Sequence, residues 1–226
     1  MTDKEVVVYS APRTGSTLIW QCCKEIFSKV HKAHHDDVSK YLQMRLPCII
    51  TEREKVDAFI SRERVLRFGG YSKKEFEEVI NDRLQHAIEN NPQAINDDIE
   101  DYTLELDSVE YVKNFYTGGL LILKYENFHE NYNYIFTQLE KFFYINIPSD
   151  YKENIIKKTN KAYNIDIQSK MNNFSEIDQH SNIHGNHIQF GDINYSAKLL
   201  NNFNYQYLHE RLYSNPDSWK KRYNIK

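Results

Sequence analysis

Residues 6–21 read VVVYSAPRTGSTLIWQ: a β-branched run, a turn holding one glycine, and the start of an apolar-periodic segment. Between the two stand one permanent cation, Arg13, and three hydroxyls, on Thr14, Ser16 and Thr17. A buried strand that turns into a helix aims several backbone N–H groups at one point, and the helix dipole adds positive potential there. Arginine contributes planar donors and a fixed charge. These parts suit a phosphate-like anion. The same residues would also make an ordinary Ser/Thr-capped helix, so the loop alone leaves both readings open.

A second group extends the first. In PCIITEREKVDAFIS, Arg53 stands at the end of an apolar run and Ser61 follows eight residues later. Ligands of open α/β sheets bind outside the carboxyl ends of the strands. Arg53 and Ser61 could therefore converge on a second phosphate, or be a surface arginine and a small helix residue. The loop is not the G-x-x-x-x-G-K-[ST] of nucleotide triphosphatases, which needs two bracketing glycines and a lysine. No nearby aspartate is placed for magnesium. A third group is histidine-rich: KVHKAHHDD supplies His31, His34 and His35, and HSNIHGNHIQFGD supplies His180, His184 and His187. Spacings of four and three would make a metal face on a helix. Gly185 and Asn186 argue for a loop instead, and no metal site is expected.

Positioning these groups requires alternating elements. The pattern predicts strands at 5–9, 46–53 and 120–125, each containing a short apolar run, and a short strand with its exit loop within 29–35. It predicts helices at 16–28, 54–68, 72–90, 108–116, 134–143 and 195–223. Ser72 and Glu75 form a capping-box signature, and Gly118–Gly119 stop the helix before the last strand. Residues 91–105 read as an acidic loop. Residues 159–194, rich in Asn, Ser, Gln and His, read as a loop-rich segment. The expected fold is α/β, a three-layer sandwich with a short central parallel sheet flanked by helices.

The bulk numbers narrow the function. The chain has 226 residues, read as one domain spanning 1–226. Its formal net charge of −3 argues against a general nucleic-acid binder. Three cysteines, an odd count, suggest a reducing, cytoplasmic setting rather than a disulfide framework. No signal peptide, membrane span or membrane anchor is evident.

Taken together, three segments resemble the sulfotransferase family. SAPRTGSTLIW resembles its 5′-phosphosulfate loop, commonly P-[KR]-[ST]-G-[ST]-[ST]. IITEREKVDAFIS resembles its 3′-phosphate segment. LLILKYENF is similar to its late strand ending in Tyr-Glu-(Asp/Asn), with an amphipathic helix following. The resemblance covers about residues 5–68 and 118–148, and faintly 183–200. It implies a P-loop-like sulfotransferase fold and a sulfuryl donor, 3′-phosphoadenosine 5′-phosphosulfate (PAPS). The product would be 3′,5′-adenosine bisphosphate (PAP), and no metal is required. It implies that Arg13, Thr14, Gly15, Ser16 and Thr17 hold the phosphosulfate and that Arg53 and Ser61 hold the 3′-phosphate. Arg13 stands where many members carry lysine; it keeps the charge but cannot give up a proton.

Many members carry Lys-Thr-His at the end of the second strand, and Lys32-Ala33-His34 is the matching stretch. His34 is then the candidate base, with the neighbouring histidines, Glu25 and Asp36 as alternatives, and Lys32 helps stabilise developing charge. His187 or Asn186 falls where the family's cofactor-covering segment lies, although the family's basic pair and tryptophan are absent. The acceptor would be a small molecule, a carbohydrate or a peptide. Candidate segments for it are 69–117 and 159–194, with Tyr71, Tyr102, Tyr111, Phe115 and Tyr116 either lining its site or packing in the core. Two rival readings carry other outcomes: a small-molecule kinase-like phosphotransferase and a non-catalytic nucleotide-binding module.

Overall fold

Four short strands pair side by side into one parallel sheet in the computed structural model, which describes residues 2–34, 38–69, 71–171, 176–184 and 193–225. In chain order the first half runs β1 (Thr2–Tyr9), α1 (Ser16–Ile26), β2 (Phe27–Ala33), α2 (Val38–Met44), β3 (Cys48–Glu52), α3 (Lys55–Arg67), α4 (Lys73–Asn90), α5 (Pro92–Phe115) and β4 (Leu120–Lys124). The second half runs α6 (Tyr125–Phe128), α7 (Tyr132–Phe143), α8 (Ser149–Thr159), α9 (Lys161–Gln168), β5 (Ile177–Asp178), β6 (Ile183–His184), α10 (Tyr195–Leu199), α11 (Asn202–Tyr213) and α12 (Ser218–Arg222). The strand order is β2-β1-β3-β4, with Val7 opposite Cys48 and Val8 opposite Ile49.

The two-residue period of a strand sends alternate side chains to opposite faces. Val6, Val8 and Ile49 pack with Ile19, Cys22 and Cys23 of α1 and with Ile135, Phe136 and Leu139 of α7. Val7, Tyr9, Cys48 and Ile50 pack on the other face with Tyr41 of α2 and Val109 and Val112 of α5. Helices thus cover both faces of the central strands β1 and β3, which is why those two hold unbroken apolar runs. A third cluster joins Phe59 and Ile60 of α3 to Phe76, Ile80 and Leu84 of α4 and to Leu208 and Leu212 of α11. It holds α3 rigidly beside the sheet. The capping box forms: Ser72 accepts from the Glu75 N–H and Glu75 accepts from the Ser72 N–H.

Four expectations need correction. The single helix expected at 195–223 is three, α10, α11 and α12, the first break falling where Leu200 is extended and Asn201 caps α11. Residues 91–105 are not a loop but the first half of α5. Pro92 opens the helix and Ile95, Ile99 and Tyr102, at spacings of four and three, are its buried face. The acidic residues between them are its solvent face. Helix α1 ends at Ile26, because Phe27 is already extended and begins β2. Residues 161–168, expected in a loop-rich segment, form α9, capped by Asn160 accepting from the Tyr163 N–H. No helix of the described residues is long and apolar enough to cross a membrane.

Candidate functional site

Parallel pairing puts the carboxyl ends of all four strands on one side, and the candidate residues follow those ends. Arg13 lies beyond β1, His34 directly follows β2, Arg53 follows Glu52 of β3, and Tyr125 follows Lys124 of β4. They line one cleft of about 730 Å³, together with Gly15, Ser16, Thr17, Lys32 and Ser61.

The loop is shaped by its backbone. Gly15 is the N-cap of α1 at φ 86°, a left-handed conformation that glycine adopts without penalty. A Cβ there would sit 2.7 Å from Phe128 Cζ and 2.8 Å from Tyr125 Cδ2. Arg13 also has a positive φ, 66°. Strain of this kind in a residue other than glycine costs on the order of 1 kcal/mol and concentrates at functional sites. Arg13 Nε donates to Ser61 Oγ at 3.1 Å, and Arg53 Nη1 donates to the Arg13 carbonyl at 3.4 Å. The Arg53 guanidinium lies 4.5 Å from the Tyr125 ring centroid and 3.9 Å from the Asp57 carboxylate. Tyr125 therefore packs against both the loop at Gly15 and the arginine at Arg53. Its neighbour Glu126 accepts from the Glu54 N–H at the head of α3. Three distant sequence segments meet here.

Burial and the adjacent Arg53 charge draw the Arg13 pKa down to about 10. Lys32 Nζ donates to Thr17 Oγ1 at 2.8 Å. Burial, then the charge of Arg13, draw the Lys32 pKa down to about 8. The cleft is thus a place where positive charge is crowded and only partly hydrated, on a chain whose net charge is negative.

His34 Nδ1 lies 2.7 Å from the Ser10 carbonyl. A carbonyl only accepts, so Nδ1 carries the proton, and in the neutral ring Nε2 holds the lone pair. Lys32 and His34 share one parity and line the cleft. His31, of the other parity, sits 3.4 Å from Glu5 and beside Tyr41, outside the cleft. Glu25 is also elsewhere, paired with Lys158 at 2.8 Å. His35, Asp36, Asn186 and His187 lie outside the described residues. Among the described residues no group of three or more metal-ligating side chains occurs.

Thr14 differs from its neighbours. It is buried and does not line the cleft; its hydroxyl donates to the Ala11 carbonyl at 2.8 Å and lies 2.7 Å from Thr51 Oγ1. None of Tyr71, Tyr102, Tyr111, Phe115 and Tyr116 lines the cleft. Tyr102 is core, whereas Tyr111 stacks on Tyr223 and Phe115 meets Trp219 near the surface. The residues that sequence reasoning missed are Arg62, Glu105, His129, Tyr132, Asn164 and Lys161, all on the cleft wall. Arg62 and Val65 accompany Ser61 on one face of α3, a signal that helical spacing carried. Glu105 carried no such signal, because its segment read as a loop.

No protein-family model matches the sequence, and no curated protein matches it. Among solved structures the chain is similar to mouse sulfotransferase SULT7A1, crystallised in complex with PAP, with a TM-score of 0.57 and 12% identity. The match covers 99% of this chain and 89% of that one. The shared property is the fold, a helix-rich α/β arrangement around a central parallel sheet.

Proposed function

We propose that the chain is a PAPS-dependent sulfotransferase. The observation that carries the proposal is the convergence of Arg13, Gly15–Thr17, Lys32, Arg53, Ser61 and His34 on one cleft at the carboxyl ends of the strands. The likeness in fold to a sulfotransferase complexed with PAP supports it. So does Gly15, whose missing Cβ lets the loop backbone close on Tyr125 and Phe128.

The donor's phosphosulfate would lie against the backbone of 13–17, the Arg13 guanidinium and the hydroxyls of Ser16 and Thr17. The 3′-phosphate would lie against Arg53 and Ser61. Thr14 would contribute through its main chain, since its hydroxyl is turned inward. The acceptor, a hydroxyl or amine, would approach His34. Nε2 takes the acceptor's proton while the acceptor atom bonds to sulfur and the bond from sulfur to the bridging oxygen breaks. Charge grows on that bridging oxygen; Arg13 would face it as a permanent cation and Lys32 would add a second charge while protonated. PAP, held by Arg13 and Arg53 until then, leaves the cleft once those ion pairs break. Cys22, Cys23 and Cys48 are free and buried, with the Cys22 and Cys48 thiols pushed up to about 12 by burial. They play no part as nucleophiles and are in keeping with a reducing, cytoplasmic setting.

The test is to incubate the protein with PAPS and pooled phenol, amine, sugar and peptide acceptors and to follow PAP release. Wild type should release PAP with at least one pool. His34→Gln should slow release on the order of 10²-fold while still binding PAP. ATP turnover without PAPS turnover would replace the proposal with the kinase-like reading. PAP binding without transfer to any pool would favour a non-catalytic module.

A further inference from the structure

Behind the cleft lies a cluster of hydroxyls that the chemistry above does not use. Ser10, Thr14 and Thr51 are all buried, each 2% exposed or less. Continuing the register of Val7 with Cys48 and Val8 with Ile49 by two more steps brings Ser10 opposite Thr51. Thr51 Oγ1 lies 2.8 Å from Ser10 Oγ and 2.7 Å from Thr14 Oγ1. The Thr51 N–H donates to Ser10 Oγ at 2.9 Å, and Thr14 donates to the Ala11 carbonyl at 2.8 Å. The carbonyl of the same Ser10 receives His34 Nδ1–H at 2.7 Å.

Hydroxyls buried at the junction of two strands would ordinarily be replaced by apolar side chains, because an unmet hydroxyl there is costly. Here each meets its needs in the others, and the partners are the two ends of the turn that presents Arg13. One side of residues 10–14 faces the cleft. The other is pinned to β3 through the Thr51 side chain.

We propose that Thr51 is a positioning residue, holding the anion loop and the His34 tautomer in register through Ser10 and Thr14. This rests on the sulfotransferase reading for its kinetic consequence, but its structural consequence can be read without any donor. Thr51→Val keeps the shape and removes the hydroxyl; Thr51→Ser keeps the hydroxyl.

The experiment records ring-nitrogen NMR shifts of His34, PAP affinity by calorimetry and thermal stability for wild type, both Thr51 variants and Ser10→Ala. Wild type should show His34 protonated at Nδ1 when neutral. Thr51→Val should lose that preference and bind PAP about tenfold more weakly, about 1.4 kcal/mol, and Thr51→Ser should restore both. A folded Thr51→Val with the wild-type tautomer and wild-type affinity overturns the proposal. So does a Thr51→Ser that fails to restore them. If wild type binds no PAP, the sulfotransferase reading fails, and the tautomer comparison still decides whether Thr51 positions His34. If Thr51→Val does not fold, Ser10→Ala decides: loss of the tautomer preference supports the proposal and its retention overturns it.

Discussion

Replacing Gly15 by alanine should damage the cleft more than any other single methyl group added to the loop. Two costs add. The left-handed backbone at φ 86° disfavours a Cβ by about 1–2 kcal/mol. The new Cβ would also lie 2.7–2.8 Å from Phe128 and Tyr125, where both rings are held by packing. Overpacking of that kind costs about 1–3 kcal/mol. The sum, roughly 2–5 kcal/mol, corresponds to a fall in Tm of at least about 4 °C for a chain of this size. Gly119 supplies the control. It has φ 92°, but its nearest contact to an added Cβ is Phe142 at 3.6 Å, an ordinary distance. Gly119→Ala should therefore cost only the backbone part and leave PAP affinity unchanged. Gly15→Ala should cost more and, because Tyr125 also supports Arg53, weaken PAP binding at least tenfold. Differential scanning calorimetry and titration calorimetry on both variants measure this. Equal Tm losses with unchanged PAP affinity in Gly15→Ala would refute the packing account.

Lys32 gives a pH dependence of known sign. Its pKa is drawn from 10.5 to about 8 in the folded chain, so above pH 8 the unfolded chain holds the extra proton and stability rises with pH up to the ordinary value. An anion in the cleft prefers charged Lys32, so PAP affinity should fall as pH rises through 8, and Lys32→Gln should flatten that slope in calorimetry from pH 7 to 9. In α5, Ile99→Ala should destabilise by about 2–4 kcal/mol, as a buried face requires; denaturant unfolding would show under 0.5 kcal/mol were the segment a loop.

Much of the cleft was legible because its parts sit at strand ends, where short apolar runs announce themselves. The strand-end positions of the loop 12–17 and of Arg53 with Ser61 were readable from the residues, Tyr125 came only from the family resemblance, and the parallel sheet brings them together. Thr14 was half legible: its type fitted an anion loop, but only the pairing of β1 with β3 shows that its hydroxyl faces Thr51. The first half of α5 was hidden because seven of its residues between 92 and 105 are Asp, Glu, Asn or Gln, which masked a buried stripe of one residue per turn. Glu105 and Lys161 fall in the two segments named as acceptor candidates, 69–117 and 159–194, but neither residue was singled out within them. The helix at 149–159 went unassigned because its buried face is narrow, Ile155 and Thr159.

Titration calorimetry of PAP, against ATP with magnesium, on wild type and Arg53→Ala tests the central claim most directly. The account predicts micromolar PAP binding by wild type and at least tenfold weaker binding by Arg53→Ala, about 1.4 kcal/mol, since Arg53 lies on the cleft wall beside Ser61 and Arg13. Binding of ATP with magnesium but not of PAP, or equal PAP binding by both proteins, would contradict it.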